Sequence, residues 1–514
     1  MTVSDKKRFF KNGVLLTLVA LSMRSVGLFA SSFVSGAVGA EGVGLYTLIM
    51  TLFGFALTFA TSGISLAMTN LVAAALGKGE RAVSAVLRAG IAYALIFGGA
   101  ATAVLWLFAP FFGASLLSDV RTVLPLRILA LSLLPEALLS VFTGYFVGIR
   151  RVANNALVQV ASQLLRLSLT VLLLKQTAGE GIAVACTVLA AVAVLSDLFA
   201  FLLALFQFLL SRRRKPRGKG GEAFSPVCKM ALPLAVSAYL RSALLTLEHI
   251  LIPRRLRLYG QSVSDSLASY GVLHGMALPL VLYPMALLSS FASLLVPEFA
   301  EAQAKGDKAR SERMCERTFC ASLRYGILTA ALLLLFSEEL GNLVYHSTEA
   351  GIYIAMLAPV VPIMYLDHAT DQMLKGIGEQ VASMWINITD SLLSVLLVWF
   401  LLPVMGVWGY AVMIVVMELY NFSLSLRRLR RRIRFRIPLL SAAVPPLLSA
   451  WLSCRLSRRL FLMNGTVTTL PWMLVKLVFF LCVFAAQSIL LSSIFSRFSR
   501  GRGGDRTEKS VKTA

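Results

Sequence analysis

The stretch 181–210, GIAVACTVLAAVAVLSDLFAFLLALFQFLL, contains a single charged residue, Asp197. About 20 consecutive apolar residues are enough for a helix to cross a bilayer, and a helix satisfies all of its own backbone hydrogen bonds there. The whole chain repeats this pattern, with 58% hydrophobic residues, 14% charged residues and a mean hydropathy of +0.78. Such a composition excludes a soluble globular protein. We therefore predict an all-α polytopic membrane protein.

Fourteen apolar runs follow one another along the 514 residues, and each predicts one transmembrane helix. The runs are 12–34, 42–66, 84–110, 121–147, 154–174, 181–210, 226–250, 267–294, 319–340, 351–374, 381–402, 405–426, 438–459 and 469–493.

The landmarks between these runs occur twice, about 227 positions apart. Lys78-Gly79-Glu80 recurs as Lys305-Gly306-Asp307, Pro135 as Pro362, and Gly148-Ile149 as Gly376-Ile377. Glycine, proline and charged residues that keep one register indicate an internal repeat. We predict two six-helix pseudo-repeat lobes in parallel orientation, 1–210 and 226–426, an arrangement typical of transporters.

The segments outside the two lobes are basic or polar. We predict a basic cytoplasmic linker at 211–225 and a basic cytoplasmic loop at 427–437. Two extra helices follow within 438–495. The charged, polar tail 496–514 is predicted to be disordered and cytoplasmic because it has too little apolar surface to fold.

The net charge of +24 reflects 49 Lys and Arg residues against 25 Asp and Glu. Most of these cations fall in alternate loops and in both termini, which the positive-inside rule assigns to the cytoplasm. We therefore predict a plasma-membrane protein with both termini cytoplasmic. The two densest basic blocks are expected to contact anionic lipid headgroups, and their placement argues against nucleic-acid binding.

Three arginines are predicted near the bilayer midplane, namely Arg24, Arg166 and Arg241. A charged side chain at that depth costs roughly 2.5–3.5 kcal/mol on insertion scales, so it normally faces a cavity or a partner. The guanidinium fork matches phosphate oxygens, which predicts a phosphate-binding site that also includes Glu136. In the alternative interpretation, Glu136 or Asp197 simply neutralises Arg166.

The second lobe carries acidic and amide side chains instead, and these predict a site for a coupling Na⁺ or H⁺. The candidates are Asp367, Asp371, Asn387, Asp390 and Glu418. Alternatively, His368 or Lys375 neutralises the pair Asp367 and Asp371, which lies one turn apart on a helix. Glu248 and His274, nearer the outer ends of their helices, are interpreted as gate or interface groups.

Signals of an enzyme or a resident cofactor are missing from the sequence. No phosphate-binding loop of the Gly-x-x-x-x-Gly-Lys-Ser/Thr type occurs, and the four histidines have no metal-ligand spacing. The six cysteines are scattered and imply no disulfide framework. We predict neither catalysis nor a cofactor or metal, and expect any driving energy to come from an ion gradient, from the membrane potential or from a separate ATPase subunit.

Several short motifs resemble a known family. These are Gly42-x-Gly44-Leu45-Tyr46, Ser62-Gly63-Ile64 with Leu71-Val72, Tyr270-Gly271 with Gly275-Met276-Ala277-Leu278-Pro279, and Leu295-Val296-Pro297-Glu298-Phe299. The pattern resembles the polysaccharide-flippase branch of the MOP (multidrug/oligosaccharidyl-lipid/polysaccharide) superfamily. Within it the pattern is similar to the stage V sporulation protein B group, which is related to the fourteen-helix MurJ-type lipid II flippases.

The resemblance implies a two-lobed transporter with a cationic cavity that flips undecaprenyl-pyrophosphate-linked sugars by alternating access. The last two helices would hold the lipid tail. Arg24 matches the position of a helix-one arginine in such flippases, and Asn387 and Asp390 fall where the family has its ion site. The aspartate that the family has in the seventh helix is missing, since only Glu248 is found there.

The sequence thus favours a flippase for a lipid-linked oligosaccharide, most plausibly a peptidoglycan precursor. Two alternatives remain open. A cation-coupled multidrug exporter of the same fold would need an acidic or aromatic site in the first lobe. A non-transporting scaffold would recruit cell-wall synthesis enzymes through the basic loops, and its membrane-depth arginines would be dispensable.

Overall fold

The computed structural model describes residues 3–61, 63–77, 80–177, 179–211, 224–435, 439–462 and 473–491. Within these ranges all regular elements are helices and no strand occurs. Eleven segments are long and apolar enough to cross a membrane. The prediction of an all-α polytopic membrane protein is therefore confirmed.

The chain forms two compact units. The first comprises Met1–Met276 with Ser391–Tyr410, and the second comprises Ala277–Asp390 with Ala411–Ala514. The α-helices that lie in the first unit are α1 (Val3–Thr61), α2 (Ile64–Leu76), α3 (Glu80–Leu107), α4 (Val123–Gly148), α5 (Val152–Gln176), α6 (Ile182–Ser211), α7 (Phe224–Leu258) and α8 (Val263–Tyr270). Two π-helical segments, Phe111–Leu116 and Gly271–Ala277, interrupt this series.

The remaining helices belong mainly to the second unit. They are α9 (Leu278–Leu282), α10 (Met285–Ala304), α11 (Lys308–Leu335), α12 (Ser337–Tyr345), α13 (Thr348–Leu357), α14 (Val361–Gly376), α15 (Gln380–Met405), α16 (Val407–Arg432), α17 (Leu439–Leu462) and α18 (Met473–Leu491). The second half of α15 and the first turn of α16 are grouped with the first unit.

Helix α1 is two helical arms joined at Gly39, which we call the first arm (residues 3–38) and the second arm (residues 40–61). Gly39 has φ 68° and ψ −179°, a conformation that is essentially restricted to glycine. The Ser31 hydroxyl donates to the Gly275 carbonyl at 3.0 Å, and Gly275 also packs tightly against Val43. A straight helix would separate Ser31 from Val43 by about 18 Å, so the chain folds back at Gly39.

The predicted number of fourteen spans is not fully resolved into separate helices. One candidate span, Ser22–Leu76, has 55 residues and covers run 42–66 together with part of run 12–34. Run 267–294 is divided among α8, a π-helical segment, α9 and α10. Run 438–459 forms α17, which is not among the eleven candidates. The count of fourteen therefore stays a prediction.

Two of the repeated landmarks mark the same type of helix end. Helices α4 and α14 end at Gly148 and Gly376. A Cβ at Gly148 would lie 3.0 Å from the Thr69 carbonyl oxygen of α2, and a Cβ at Gly376 would lie 3.3 Å from the Val296 carbonyl oxygen of α10. Thr69 and Val296 are themselves 227 positions apart. The repeated glycines thus allow equivalent close helix packing, while the lobe boundaries stay a prediction.

The Lys-Gly-Asp landmark joins two helices. Gly306 has φ +66°, which ends α10 in a conformation that glycine adopts without strain. Asp307 then caps α11, since its carboxylate accepts from the Arg310 backbone N–H at 2.9 Å. The matching residues Lys78 and Gly79 lie outside the described residues.

Aromatic side chains connect α18 to the second unit. Phe480 and Phe484 of α18 are buried in one cluster with Phe319 and Leu323 of α11. Arg427–Arg432 of the predicted basic loop 427–437 lie in α16, while residues 436 and 437 of that loop lie outside the described residues. The same holds for most of the linker 211–225 and for the tail 496–514.

Candidate functional site

A cluster of ionisable side chains lies in the middle of three helices of the first unit. An Arg166 Nη2 of α5 donates to Asp197 Oδ1 of α6. Glu136 and Ser132 of α4 lie beside Asp197, close enough to act on its carboxyl group. Arg166 and Asp197 stand near the centres of α5 and α6, which pack against each other. The structure thus shows the ion pair that the alternative interpretation of Arg166 anticipated.

Arg166 also lines a cavity of about 280 Å³. The wall is formed by both arms of α1 together with α5 and α6, and its polar side chains include Tyr46, Gln163 and Thr170. The fold at Gly39 builds this wall because it brings both arms of α1 to the same place. Such a cavity can receive water and a polar ligand, since one water needs roughly 10–15 Å³.

The other two predicted arginines are exposed side chains of the same unit. Arg24 lies on the first arm of α1 and Arg241 on α7, and neither belongs to the wall of the cavity that Arg166 lines. Next to Arg241, the Tyr239 hydroxyl donates to the Phe59 carbonyl at 3.1 Å. The structure therefore groups Glu136 with Arg166, whereas joint binding by all three arginines stays a prediction.

A second cavity of the first unit is apolar. It has a volume of about 440 Å³ and lies among the second arm of α1, α3 and α7, with Phe55, Phe59 and Phe112 in its wall. Its wall includes no charged side chain among the described residues. It therefore offers no group that would bind a phosphate.

A chain of polar side chains links three helices of the second unit. Asp371 of α14 pairs with Lys375 at 2.6 Å and accepts a hydrogen bond from Ser383 of α15. The Asn387 amide donates to the Ser383 carbonyl at 2.9 Å, and Asn421 of α16 donates to Asn387 Oδ1 at 3.3 Å. Of the cation-site candidates, Asp371 and Asn387 are therefore members of one network, and Lys375 neutralises Asp371.

The other three candidates, Asp367, Asp390 and Glu418, form an acidic group. Asp367 and Asp390 both act electrostatically on Glu418, which places three carboxyl groups of α14, α15 and α16 in one neighbourhood. Among the described residues, no group of three or more His, Cys, Asp or Glu side chains is placed to hold a metal ion. His368 instead bonds the Ser289 hydroxyl at 3.0 Å through Nε2.

Two further clusters were not predicted from the sequence. In the first unit, His249 Nδ1 lies 2.7 Å from the Tyr270 hydroxyl, and the His249 and His274 rings are 4.5 Å apart. His274 also packs edge-on against Tyr410. From the sequence, only His274 and Glu248, the residue before His249, were interpreted as gate or interface groups.

The second unpredicted cluster is an ion-pair clamp outside the membrane-spanning segments. Glu379 stands between α14 and α15 and pairs with Arg428 at 2.6 Å and with Arg432, both of which belong to α16. The hydrogen bond from Arg428 is the main reason why the pKa of Glu379 is lowered from its usual value. In the sequence Arg428 and Arg432 follow Glu379 only 49 and 53 positions later, so no short motif signals this clamp.

Sequence comparison identifies a family and curated relatives. The profile described as "Polysaccharide biosynthesis protein" matches residues 9–303, which is more than half of the chain, and the profile described as "MatE" matches residues 258–400. Stage V sporulation protein B of Bacillus subtilis (strain 168) is 26% identical over 429 residues, which cover 80% of this chain and 81% of that protein. Sporulation protein YkvU of the same organism is 22% identical over 68% of this chain and 79% of that protein.

Structure comparison identifies the same fold in transporters. Lipid II flippase MurJ, in an inward closed conformation, aligns with a TM-score of 0.72 at 14% identity over 94% of this chain and 99% of that chain. A multidrug resistance MATE family transporter of the MOP superfamily, in an inward-facing conformation, aligns with a TM-score of 0.62 at 14% identity over 81% of this chain and 98% of that chain. These identities show the fold alone.

Proposed function

The chain belongs to the polysaccharide biosynthesis protein family, and we propose that it flips a lipid-linked oligosaccharide across the plasma membrane by alternating access. It is a multi-pass membrane protein with the fold of MOP superfamily transporters. The substrate we propose is an undecaprenyl-pyrophosphate-linked sugar that serves as a peptidoglycan precursor. The similarity to stage V sporulation protein B supports a role in sporulation.

The observation that carries this proposal is the position of Arg166. Its guanidinium pairs with Asp197 and also lines a cavity in the middle of the membrane helices, and a cation at that depth normally faces a partner or a cavity. Fixed guanidinium groups replace the hydration of a phosphate and so lower the cost of moving it through hydrocarbon. Arg24, Arg166 and Arg241 would bind the pyrophosphate. Glu136 would lie beside Arg166 as a further member of the binding site.

The second unit would supply the coupling to an ion gradient. Asp367, Asp390 and Glu418 form a shared acidic group, and Asp371 and Asn387 belong to the neighbouring polar network. Carboxylate and amide oxygens bind Na⁺ or exchange H⁺, and either ion would serve to reset the conformation. We assign both termini to the cytoplasm, with the basic segments on anionic lipid, no nucleic-acid partner and no catalytic step. Cell-wall synthesis enzymes would use the flipped product.

The first test is the flipping of a fluorescent undecaprenyl-pyrophosphoryl sugar in proteoliposomes under an imposed ion gradient. We expect activity in the wild type and its loss in Arg24→Ala, Arg166→Ala and Arg241→Ala. Arg81→Ala is the matched control, because Arg81 is an exposed arginine in the first turn of α3. Folded arginine variants that retain wild-type flipping would refute the site.

A cation-coupled multidrug exporter is the second candidate, favoured by the MATE-type structural matches and by the acidic group of the second unit. It would bind cationic drugs, whereas the cavity described in the first unit presents a guanidinium. Expression in a drug-sensitive bacterial host separates the two functions. Resistance to cationic drugs, together with no flipping of any lipid-linked sugar, would favour the exporter.

A further inference from the structure

The Arg166 cluster contains two carboxyl groups and one guanidinium. The groups that face it from the helices packed around it are Tyr46 of α1, Ser132 and Glu136 of α4, Arg166 of α5, and Cys186 and Asp197 of α6. Two adjacent carboxylates do not both ionise in a site shielded from water. The cluster therefore holds one proton and is electrically neutral.

The two ends of the ion pair differ in their access to the cavity. The Arg166 side chain is 37% exposed, whereas the Asp197 side chain is 9% exposed. Among the described residues, the cavity wall includes Arg166 but neither Glu136 nor Asp197. An arginine carries five N–H donors, and the ion pair with Asp197 runs through Nη2. The guanidinium is thus shared between a buried carboxylate on one side and a polar cavity on the other.

From this arrangement we infer that Arg166 is a proton-linked anion site, at which a phosphate group and the Asp197 carboxylate compete for one guanidinium. The inference rests on the proposed function, which supplies the phosphate ligand. When the phosphate enters the cavity and takes the guanidinium, Asp197 loses its counter-ion. A carboxylate that stays ionised beside the bound anion would be a buried charge without a partner, which is strongly destabilising. Asp197 therefore takes up one proton.

The exchange balances in charge. Before binding, the Arg166 cation is paired with the Asp197 anion, and Glu136 holds the shared proton. Afterwards the Arg166 cation is paired with the phosphate, and both carboxyl groups are protonated. Anion affinity should therefore rise as the pH falls, by up to about tenfold per pH unit for a one-proton linkage.

The test is isothermal titration calorimetry of the purified full-length protein with farnesyl pyrophosphate as the probe. Titrations at one pH in two buffers with different ionisation enthalpies count the protons taken up per bound molecule. We expect the wild type to take up about one more proton than Asp197→Asn, because an asparagine cannot be protonated there. Comparison of the two proteins also subtracts any protonation of the probe itself. Asp197→Asn should bind with an affinity that depends less on pH.

Two more variants control for folding and for general charge effects. Glu180→Gln removes an exposed carboxylate from the loop between α5 and α6, and it should match the wild type in proton count. Glu136→Gln keeps a hydrogen-bond donor toward Asp197 and should still show proton uptake, which tests the linkage even if Asp197→Asn does not fold. Thermal unfolding of each variant reports on folding.

The outcomes separate the inference from the proposed function. Binding of the probe with the same proton count in the wild type and in folded Asp197→Asn overturns the proton linkage and leaves the flippase intact. If the wild type does not bind the probe but still flips the lipid-linked sugar, Arg166 is not an anion site and the inference fails alone. If the wild type neither binds nor flips, the proposed function fails, and the inference fails with it.

Discussion

At the scale of single residues, the ion pair between Arg166 and Asp197 makes a prediction about stability. Asp197→Ala removes one partner and leaves a guanidinium at membrane depth without its counter-ion. We expect a loss of about 1–3 kcal/mol, below the roughly 3–5 kcal/mol typical of a fully buried pair, because the Arg166 side chain is 37% exposed.

The control for this prediction is the double variant Asp197→Ala with Arg166→Met, which removes both charges and should recover part of the loss. Thermal unfolding in detergent, compared across the wild type, the two single variants and the double variant, measures the coupling. A double variant whose loss equals the sum of the single losses would show that the pair contributes nothing to folding.

The Glu379 clamp predicts how stability depends on pH. Hydrogen bonds from Arg428 and Arg432 hold the pKa of Glu379 below the value of 4.5 that an ordinary glutamate has. A lowered folded-state pKa means that the clamp stabilises the protein above about pH 4.5 and that this contribution disappears as the pH falls through the lowered pKa. Glu379→Gln should therefore be less stable than the wild type at pH 7 and nearly equal to it at strongly acidic pH.

Glu349→Gln is the control for this experiment, since Glu349 is an exposed carboxylate in the first turn of α13. Its stability relative to the wild type should vary little between the two pH values. Thermal unfolding at neutral and acidic pH gives both differences. A deficit of Glu379→Gln that stays constant with pH would show that the clamp acts by packing rather than by charge.

The sequence revealed the membrane-depth charges but not all of their partners. Arg166 stands out because a cation inside an apolar run is costly, yet Glu136 and Asp197 were equally reasonable partners until the structure paired Arg166 with Asp197. Glu379 and His249 were missed because their partners lie on other helices with no short motif to connect them. Pairing of this kind depends on helix packing, which hydropathy alone does not determine.

At the scale of helices, the two-armed α1 depends on Gly39. Its φ of 68° and ψ of −179° lie in a region that costs a residue with a side chain about 1–3 kcal/mol. We expect Gly39→Ala to destabilise the protein by that amount and to lower flipping, because both arms of α1 form the wall of the Arg166 cavity. Gly36→Ala is the control, since Gly36 is helical and a Cβ there meets no atom within 4 Å.

Thermal unfolding and the proteoliposome assay together test this prediction. If Gly39→Ala and Gly36→Ala behave alike in both assays, the arms do not need the glycine conformation. The apolar runs 12–34 and 42–66 predicted two spans here, and the fold at Gly39 lies between them. The sequence did not single out Gly39 among the neighbouring glycines, because nothing in hydropathy distinguishes a left-handed glycine from a helical one.

The repeated helix ends predict matching effects in the two halves of the chain. A Cβ at Gly148 would lie 3.0 Å from the Thr69 carbonyl oxygen, and one at Gly376 would lie 2.9 Å from the Phe299 Cβ. Both contacts force the neighbouring helix to shift, so Gly148→Ala and Gly376→Ala should each lose about 1–3 kcal/mol.

Gly99→Ala should instead be neutral or stabilising by about 0.5–1 kcal/mol, because Gly99 is inside α3 with no atom within 4 Å of its Cβ position. Thermal unfolding of the three variants gives the comparison. If Gly148→Ala or Gly376→Ala left the stability unchanged, close helix packing would not explain why these glycines recur. The repeat could be recognised in the sequence because only glycine fits such close contacts. The breaks between α8 and α10 could not be recognised, because this segment is a single apolar run in the sequence.

At the scale of the whole molecule, the sequence predicts the fold that the structure shows, but the fold alone does not identify the substrate. Apolar runs and punctuating glycines were sufficient to predict a polytopic helical transporter, because membrane insertion leaves a chain few other choices. The fold is shared by a lipid II flippase and by multidrug transporters, and a fold does not determine a function. We distinguish a flippase from a multidrug exporter by charge. The cavity of the first unit presents a guanidinium, and the second unit contains the acidic group.

This division of charge predicts that substrate binding and ion coupling can be separated by mutation. Asp390→Asn with Glu418→Gln removes two acidic groups of the second unit, so gradient-driven flipping should fall by about tenfold, within the range typical of coupling between sites. Binding of farnesyl pyrophosphate should stay near the wild-type level, because the guanidinium groups are untouched. Arg24→Ala should instead weaken the binding of farnesyl pyrophosphate, and its flipping should be low under any gradient.

Both quantities can be measured on the same preparations, by calorimetry in detergent and by flipping in proteoliposomes under Na⁺ and H⁺ gradients applied separately. Glu349→Gln, an exposed carboxylate of the second unit, should retain wild-type binding and wild-type gradient dependence. The gradient to which the wild type responds identifies the coupling ion. If the acidic double variant still responds to that gradient as the wild type does, the second unit is not the site of coupling. The proton exchange at Arg166 would then be the remaining route by which a gradient drives the transporter.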